Sequence, residues 1–161
     1  MSAAGDVTLG LISHNDARAV DGAAHAVRQV LETLAGAGGQ IIWADTGSTD
    51  DTAARMREAL RGQPLIEVPV PTTTSDLLEQ PYHGIPGKAR AMHAVMSAAT
   101  RLGSRGCVIA DAGSMLSPDM IVRLAEPVMI EEGLDFVSPY NARTKGYTSP
   151  FVSAPSWGAR S

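Results

Sequence analysis

Short apolar runs alternate with longer segments of helical periodicity along most of this chain, and that alternation constrains the fold more than any other feature. The first run, Val7–Ser13, has the length of a buried strand. In Asp16–Ala35, apolar residues recur three and four positions apart, as in an amphipathic helix. Strands that alternate with helices are typical of parallel sheets, because each helix returns the chain to begin the next strand in the same direction. We therefore predict an α/β fold with a mainly parallel sheet and helices on both faces.

The same alternation continues to about residue 139. Further strands are predicted at Gln40–Trp43, Leu65–Val68, Cys107–Ala110 and Phe136–Pro139, with helices from the turn after Asp45 to about Arg61, at Gly87–Leu102 and from Pro118 onward. Ser48 or Thr49 can cap the second helix, and Ser117 the last one. Pro69–Pro86 lacks periodicity, and long loops of this kind are often functional. From Tyr140 onward the pattern is lost among Ser, Pro, Gly and Thr.

Composition and charge exclude several classes of function. The 161 residues are 44% hydrophobic and 19% charged, an ordinary balance for a globular domain. The net charge of -4 and the scattered basic residues do not form the basic surface that nucleic-acid binding needs. No apolar run reaches the roughly 18 residues of a membrane span, and the N-terminus lacks a signal-peptide pattern, so we expect a cytoplasmic protein. Cys107, the single cysteine, is expected to be a buried structural thiol.

Polar clusters follow three of the predicted strands directly. They are His14–Asp16, Asp45–Ser48 and Asp111–Gly113. In open parallel sheets, ligands bind outside the carboxyl ends of the strands. The sequence therefore predicts a binding site where these three strands end.

Two common nucleotide-binding loops do not fit this chain. Ala35–Gly39 (AGAGG) follows a helix and precedes a strand, the wrong order for a dinucleotide-binding loop, and no GxGxxG pattern occurs. The pair Gly87 and Lys88 resembles the end of a P-loop, but Ala89 stands where Ser or Thr is required and Tyr82 occupies the first glycine position. Both classes of site are excluded.

The segment Ala44–Thr52 (ADTGSTDDT) resembles the DDGSTDDT-type segment of GT-A glycosyltransferases, in particular the family-2 enzymes and their retaining relatives. Three further segments are similar to these enzymes in the same order: Ile12–Asp16 to their P-x-x-N-E strand exit, Pro86–Met92 to their GKG-x-A-L helix start, and Ile109–Ile121 to their DAD-x-x-x-x-P-E-x-I segment. Asp135–Lys145 resembles the DFV-x-P-Y-x-R-x-K stretch of glucosyl-3-phosphoglycerate and mannosylglycerate synthases. The resemblance covers residues 7 to about 145. It implies a Rossmann-like GT-A domain that binds a nucleotide sugar.

The resemblance also implies that the chain is truncated. Such enzymes continue past this point with acceptor-binding loops, a further strand and often a histidine that completes a metal site. We therefore expect a nucleotide-sugar-binding domain over 1–145 and an irregular tail over 146–161. Phe151 and Trp157 in that tail could cover the sheet edge, mediate self-association into a homo-oligomer or contact a partner chain.

Eight residues are candidates for binding the nucleotide sugar by this resemblance. They are Ser13, Asn15, Asp16, Asp45, Gly87, Lys88, Asp111 and Ala112. Asp45 would accept hydrogen bonds from a uracil or guanine edge, or else hold a turn. Asn15 and Asp16 would line the same pocket, or else cap the following helix. Lys88 would meet a phosphate at a helix start, or else be an ordinary solvated lysine.

Asp111 is also the candidate ligand for Mg²⁺ or Mn²⁺, which would stabilise a leaving diphosphate. The Asp-x-Asp pair of these enzymes is incomplete here, because Gly113 stands in place of the second carboxylate.

The leading hypothesis is transfer of a hexose from a UDP- or GDP-linked sugar to a small anionic acceptor. The alternative is a catalytically impaired nucleotide-binding remnant, or a subunit that acts through a partner chain. A sugar-phosphate nucleotidyltransferase fits less well, because its Gly-rich loop after the first strand is absent.

Overall fold

A computed structural model of the chain describes residues 7–34, 39–70, 87–114, 117–130, 136–137 and 151–153. Its strands are β1 Val7–Ser13, β2 Gln40–Asp45, β3 Leu65–Glu67, β4 Gly106–Asp111, β5 Phe136–Val137 and β6 Phe151–Ser153. Its helices are α1 Val20–Leu34, α2 Thr52–Ala59, α3 Lys88–Arg101 and α4 Pro118–Ile130. Strands and helices alternate as far as β5, in the order that the sequence predicts.

The strands form one sheet in the order β3-β2-β1-β4-β6-β5. The first four run parallel, since β1 pairs with both β2 and β4, and β2 pairs with β3. Strand β6 is antiparallel to both β4 and β5. The predicted α/β class with a mainly parallel sheet is confirmed.

Helices cover both faces of this sheet. On one face α1, α2 and α4 bury a cluster that contains Val27, Trp43, Met56 and Ile121. On the other face α3 packs on the alternate residues of the same strands, among them Ile12. Side chains of this kind each contribute about 1.5–3 kcal/mol when fully buried. The two cores hold the central strands in place, and so define where their carboxyl ends lie.

The first helix starts later than the sequence predicts. We expected it from Asp16, but α1 begins at Val20. Asn15 has a φ of 55°, in the left-handed region that interrupts a helix. The backbone N–H of Ala19 then donates to the Asp16 carbonyl in a turn. The polar residues after β1 therefore form a loop at the strand exit instead of the first helical turn.

The cap predicted for α2 is wrong. Ser48 donates its hydroxyl to Asp45 Oδ1 and is not available to the helix. Asp50 takes the capping role, because its Oδ1 accepts the backbone N–H of Thr52 at 3.0 Å. Asp51, at the N-cap position, makes no side-chain capping bond. The predicted Ser48 cap does not form because the carboxylate of Asp45, three residues earlier, binds the Ser48 hydroxyl.

Three residues of the segment 146–161 form β6, inside the sheet beside β4, where the sequence predicts an irregular tail. A strand of only three residues carries too little periodicity to be recognised locally. Several expectations concern residues outside the described part of the chain: most of Pro69–Pro86, Trp157, and Asp135–Lys145 apart from β5. The division at residue 145 stays a prediction.

In the described part of the chain, none of the helices combines the length and the apolar character that crossing a bilayer requires.

Cys107 is 1% exposed and lies on the α3 face, which confirms the buried thiol. Burial raises the pKa of that thiol to about 12.

Candidate functional site

The exits of β1, β2 and β4 meet at one edge of the sheet. Ser13 lies opposite Asp45 in the register of β1 and β2, and Ile12 lies opposite Asp111 in that of β1 and β4. Beyond the strands, Ala112 donates its backbone N–H to the Ile12 carbonyl at 2.8 Å. The structure thus brings together the three polar segments that the sequence places far apart.

Asp45 organises the turn that follows β2. Its Oδ1 accepts the hydroxyls of Ser13 at 2.7 Å and Ser48 at 2.6 Å. Its Oδ2 accepts the backbone N–H groups of Gly47 at 3.0 Å and Ser48 at 2.7 Å. Burial raises the pKa of this carboxyl, but the hydrogen bonds from Ser48, Ser13 and Gly47 outweigh burial and hold the pKa below its ordinary value. Asp45 is therefore ionised at neutral pH and performs the turn-holding role that the sequence allowed; contact with a base stays a prediction.

A buried chain of hydrogen bonds supports Asp45 from below. Trp43 Nε1 donates to Ser13 Oγ at 2.9 Å, and Ser13 donates to Asp45 Oδ1. Trp43 and Ser13 are both 0% exposed, and the guanidinium of Arg57 lies 5.4 Å from the centre of the indole ring. Sequence reasoning missed Trp43. An indole N–H in a buried strand needs a partner, and Ser13 at the end of the neighbouring strand is the partner that such a search would have found.

Asn15 joins the loop after β1 to the turn after β2. Its backbone N–H donates to Ser48 Oγ at 2.9 Å, and its Oδ1 accepts the backbone N–H of Thr49 at 2.8 Å. Asn15 therefore binds the β2 turn, and the proposal that it caps the following helix is wrong. Together with Asp45, it gives both loops one defined arrangement.

Lys88 and Asp111 form a buried ion pair between α3 and β4. Lys88 Nζ lies 2.6 Å from Asp111 Oδ2, and the two side chains are 6% and 2% exposed. The alternative of a solvated lysine is wrong. Gly87, with a φ of 71°, precedes α3 as its N-cap, and a Cβ there would lie 3.6 Å from Thr46 Cβ and 3.0 Å from Arg90 Nη2. The glycine brings the start of α3 against the β2 exit, with Lys88 turned towards β4.

Asp16 lies where a side chain at position 113 would begin. A Cβ placed on Gly113 would overlap Asp16 Oδ1 and lie 3.1 Å from Asp16 Cγ. Asp16 Oδ2 accepts the backbone N–H of His14 at 2.9 Å. Burial raises the pKa of the Asp16 carboxyl; the charges of Asp50 and Asp45 add to this, and the hydrogen bond and imidazole of His14 oppose it. Asp16 thus lies in the loop after β1 but points to the loop after β4.

A surface depression of about 270 Å³ opens beside this contact. Its lining includes Asn15, Asp16, Arg18, Asp50 and Gly113. It offers two carboxylates and one guanidinium next to the glycine that replaces the expected second aspartate. A phosphorylated ligand with a divalent cation matches this mixture of charges.

The described residues contain no group of three or more His, Cys, Asp or Glu side chains arranged to hold a metal ion. Mg²⁺ is commonly held by one or two carboxylates, with substrate phosphates and water completing its coordination. Asp16 lines the open depression, and Asp111 ends the adjacent strand β4 with its Oδ2 paired to Lys88 Nζ. A cation held jointly with a diphosphate is therefore compatible with the residues present.

The fold of this chain is similar to that of solved glycosyltransferase structures. No family model and no curated protein matches the chain. Among solved structures, it is similar to glucosyl-3-phosphoglycerate synthase from Mycobacterium tuberculosis in complex with Mn²⁺, UDP and phosphoglyceric acid, with a TM-score of 0.64 and 17% identity over 95% of this chain and 57% of that one. It is also similar to a mannosyltransferase from Pyrobaculum calidifontis in complex with GDP-Man and Mn²⁺, with a TM-score of 0.60 and 15% identity over 86% of this chain and 36% of that one.

These likenesses confirm the GT-A fold that the sequence segments implied. The chain spans 57% of the length of the synthase and 36% of that of the mannosyltransferase. The complexes with UDP, GDP-Man and Mn²⁺ belong to those proteins. For this chain, the eight candidate binding residues stay predictions.

Proposed function

We propose that this chain binds a UDP- or GDP-linked sugar at the exits of β1, β2 and β4, and that it transfers the hexose to a small anionic acceptor. The observation that carries the proposal is the meeting of three ordered polar loops at one edge of a GT-A sheet. Asn15 and Asp45 define one part of that edge, and Lys88 with Asp111 the other. The similar solved structures hold UDP or GDP-Man with Mn²⁺ or Mg²⁺, which supports the same ligand class here.

The candidate residues have different parts in this proposal. Asp45 is ionised and half buried, and its two oxygens already accept four hydrogen bonds within the turn. The N–H groups of a base edge would bind it by replacing one of these, such as the bond from the Ser48 hydroxyl. Asp111 neutralises Lys88, so the backbone N–H groups in the first turn of α3 bring partial positive charge to the edge, which favours a diphosphate. Lys88 would itself meet a phosphate only by leaving Asp111. Ser13 and Ala112 are both 0% exposed, so we assign them a supporting role beneath the ligand.

A divalent cation, Mg²⁺ or Mn²⁺, would stabilise the negative charge of the departing diphosphate. Asp111 is a candidate ligand, although its Oδ2 is engaged by Lys88 Nζ. The acceptor class follows from the resemblance of Asp135–Lys145 and from the phosphoglyceric acid present in the similar synthase. A phosphorylated or carboxylated acceptor is therefore the first to be tested.

Calorimetric titration tests the binding step. We expect UDP or GDP, and the corresponding UDP-glucose or GDP-mannose, to give saturable heat in the presence of Mn²⁺. Asp45→Asn should weaken binding, since it replaces a carboxylate oxygen by an amide N–H donor at the base edge. Asp119→Asn, at an exposed position in the first turn of α4, is the matched control and should bind as the unmodified chain does. A folded protein that gives no heat with any of the four ligands would contradict the proposal.

A product assay tests the transfer step separately. Radiolabelled UDP-glucose or GDP-mannose is incubated with Mn²⁺ and 3-phosphoglycerate, and labelled product is measured. Labelled glycosyl-phosphoglycerate is the expected result. Saturable binding with neither transfer nor hydrolysis of the nucleotide sugar would refute the transferase and favour the impaired or partner-dependent domain.

A further inference from the structure

The contact between Asp16 and Gly113 couples the loop after β1 to the loop after β4. A Cβ on residue 113 would overlap Asp16 Oδ1 and lie 3.5 Å from Oδ2. The two positions therefore share one volume, and a side chain on one excludes the present position of the other. In this chain a carboxylate fills that volume, and residue 16 supplies it.

Asp111, the carboxylate that ends β4, is already engaged within the fold. Asp111 Oδ2 lies 2.6 Å from Lys88 Nζ, with both side chains almost completely buried. A cation would have to share Asp111 with an ammonium group that repels it. Asp16 is half buried and lines the open depression, so an ion arriving from solvent reaches it directly.

The depression also provides for the anion that would accompany such an ion. Arg18 lines it together with Asp16 and Gly113. A guanidinium pairs readily with phosphate oxygens, and a carboxylate with Mg²⁺ or Mn²⁺. Because Gly113 adds no side chain, the Asp16 carboxylate can lie at the wall of the depression, where a ligand reaches it.

We propose that Asp16 supplies the carboxylate that this chain lacks at position 113, and that it binds the divalent cation jointly with the diphosphate of the nucleotide sugar. The proposal rests on the function proposed above and assigns the cation to the loop after β1. Asp111 then serves mainly to hold Lys88 against β4. One carboxylate is a sufficient protein contribution, because phosphate oxygens and water complete the coordination of such ions.

Electron paramagnetic resonance of free Mn²⁺ tests the assignment without any turnover. Bound Mn²⁺ is measured in the presence of saturating UDP or GDP, whichever binds. Asp16→Asn keeps an acceptor oxygen for the backbone N–H of His14, removes the negative charge and replaces the other oxygen by an amide donor. It should lower the affinity for Mn²⁺ at least about 10-fold, since even changes to residues outside the first coordination shell often cost that much. Asp51→Asn, an exposed aspartate that makes no side-chain capping bond, should leave the affinity unchanged.

A reciprocal exchange gives the sharper result. Asp16→Ala should weaken Mn²⁺ binding, and adding Gly113→Asp to that variant should recover most of the lost affinity, because a carboxylate then reaches the same depression from the other loop. Gly113→Asp alone should disturb the site, since the two carboxylates would overlap. A double variant that binds Mn²⁺ no better than Asp16→Ala would overturn the proposal.

Nucleotide binding measured with Mn²⁺ and again in EDTA, which removes the ion, separates this proposal from the function on which it rests. If the unmodified chain binds neither UDP nor GDP, with or without Mn²⁺, the proposed function fails. If it binds nucleotide and Mn²⁺, yet Asp16→Asn binds Mn²⁺ normally and Asp111→Asn does not, the assignment to Asp16 is wrong and the function stands.

Discussion

Replacing Lys88 with methionine removes the ammonium group that lies 2.6 Å from Asp111 Oδ2, in a place where the two side chains are 6% and 2% exposed. Water cannot take over the contact without opening the junction of α3 and β4. Loss of one partner from a buried ion pair costs about 3–5 kcal/mol. For a chain of 161 residues, each kcal/mol lowers Tm by about 2–4 °C. We expect a fall in Tm of about 6–20 °C.

The reasoning requires that the two partners depend on each other, so a double-mutant cycle is the appropriate assay. Urea unfolding followed by circular dichroism would be measured for Lys88→Met, Asp111→Leu and the two together. Each single change should cost about 3–5 kcal/mol, and the double variant much less than their sum, because an apolar pair leaves no buried charge. Arg55→Met is the matched control, since its pair with Asp21 is 42% and 74% exposed and should contribute at most about 1 kcal/mol. Single losses under about 1 kcal/mol with no coupling would show that the ion pair is not structural.

Two further predictions concern ionisable groups. Because the folded-state pKa of Asp45 is lowered, its carboxylate stabilises the fold fully above about pH 5 and loses that contribution as the pH falls through the folded pKa. Ser13→Ala removes one of the hydrogen bonds that lower this pKa, so the free energy of unfolding in urea should depend less on pH below about pH 5. An unchanged pH dependence in that range would refute this. Cys107, whose pKa burial raises to about 12, should not react with a disulfide reagent at pH 8 until urea unfolds the chain; rapid reaction of the native protein would contradict its burial.

The order of strands and helices was available from the sequence. Apolar spacing is a local property, so Val7–Ser13 and Cys107–Ala110 were recognisable as strands and Gly87–Leu102 as a helix within one residue of the observed ends. The parallel sheet followed from the alternation, and with it the meeting of the three polar loops, because parallel strands end at the same edge. The predicted helix starts were wrong where side chains bind the backbone, as at the start of α1 and α2.

The contacts within the candidate site were not available from the sequence. Trp43, Ser13 and Asp45 form one chain of hydrogen bonds only because β1 and β2 pair in a particular register. Lys88 was expected at a phosphate or in solvent, and its partner 23 residues away becomes evident only when α3 packs against β4.

Gly113 shows the difference most directly. From the sequence it is an absence, a carboxylate missing from an Asp-x-Asp pair. In the tertiary structure the missing side chain leaves room for the carboxylate of Asp16, which comes from a different loop. Local patterns determined which elements form and where their polar ends gather, because spacing along the chain encodes both. The pairing of side chains across those ends depends on register and helix packing, which only the folded chain defines.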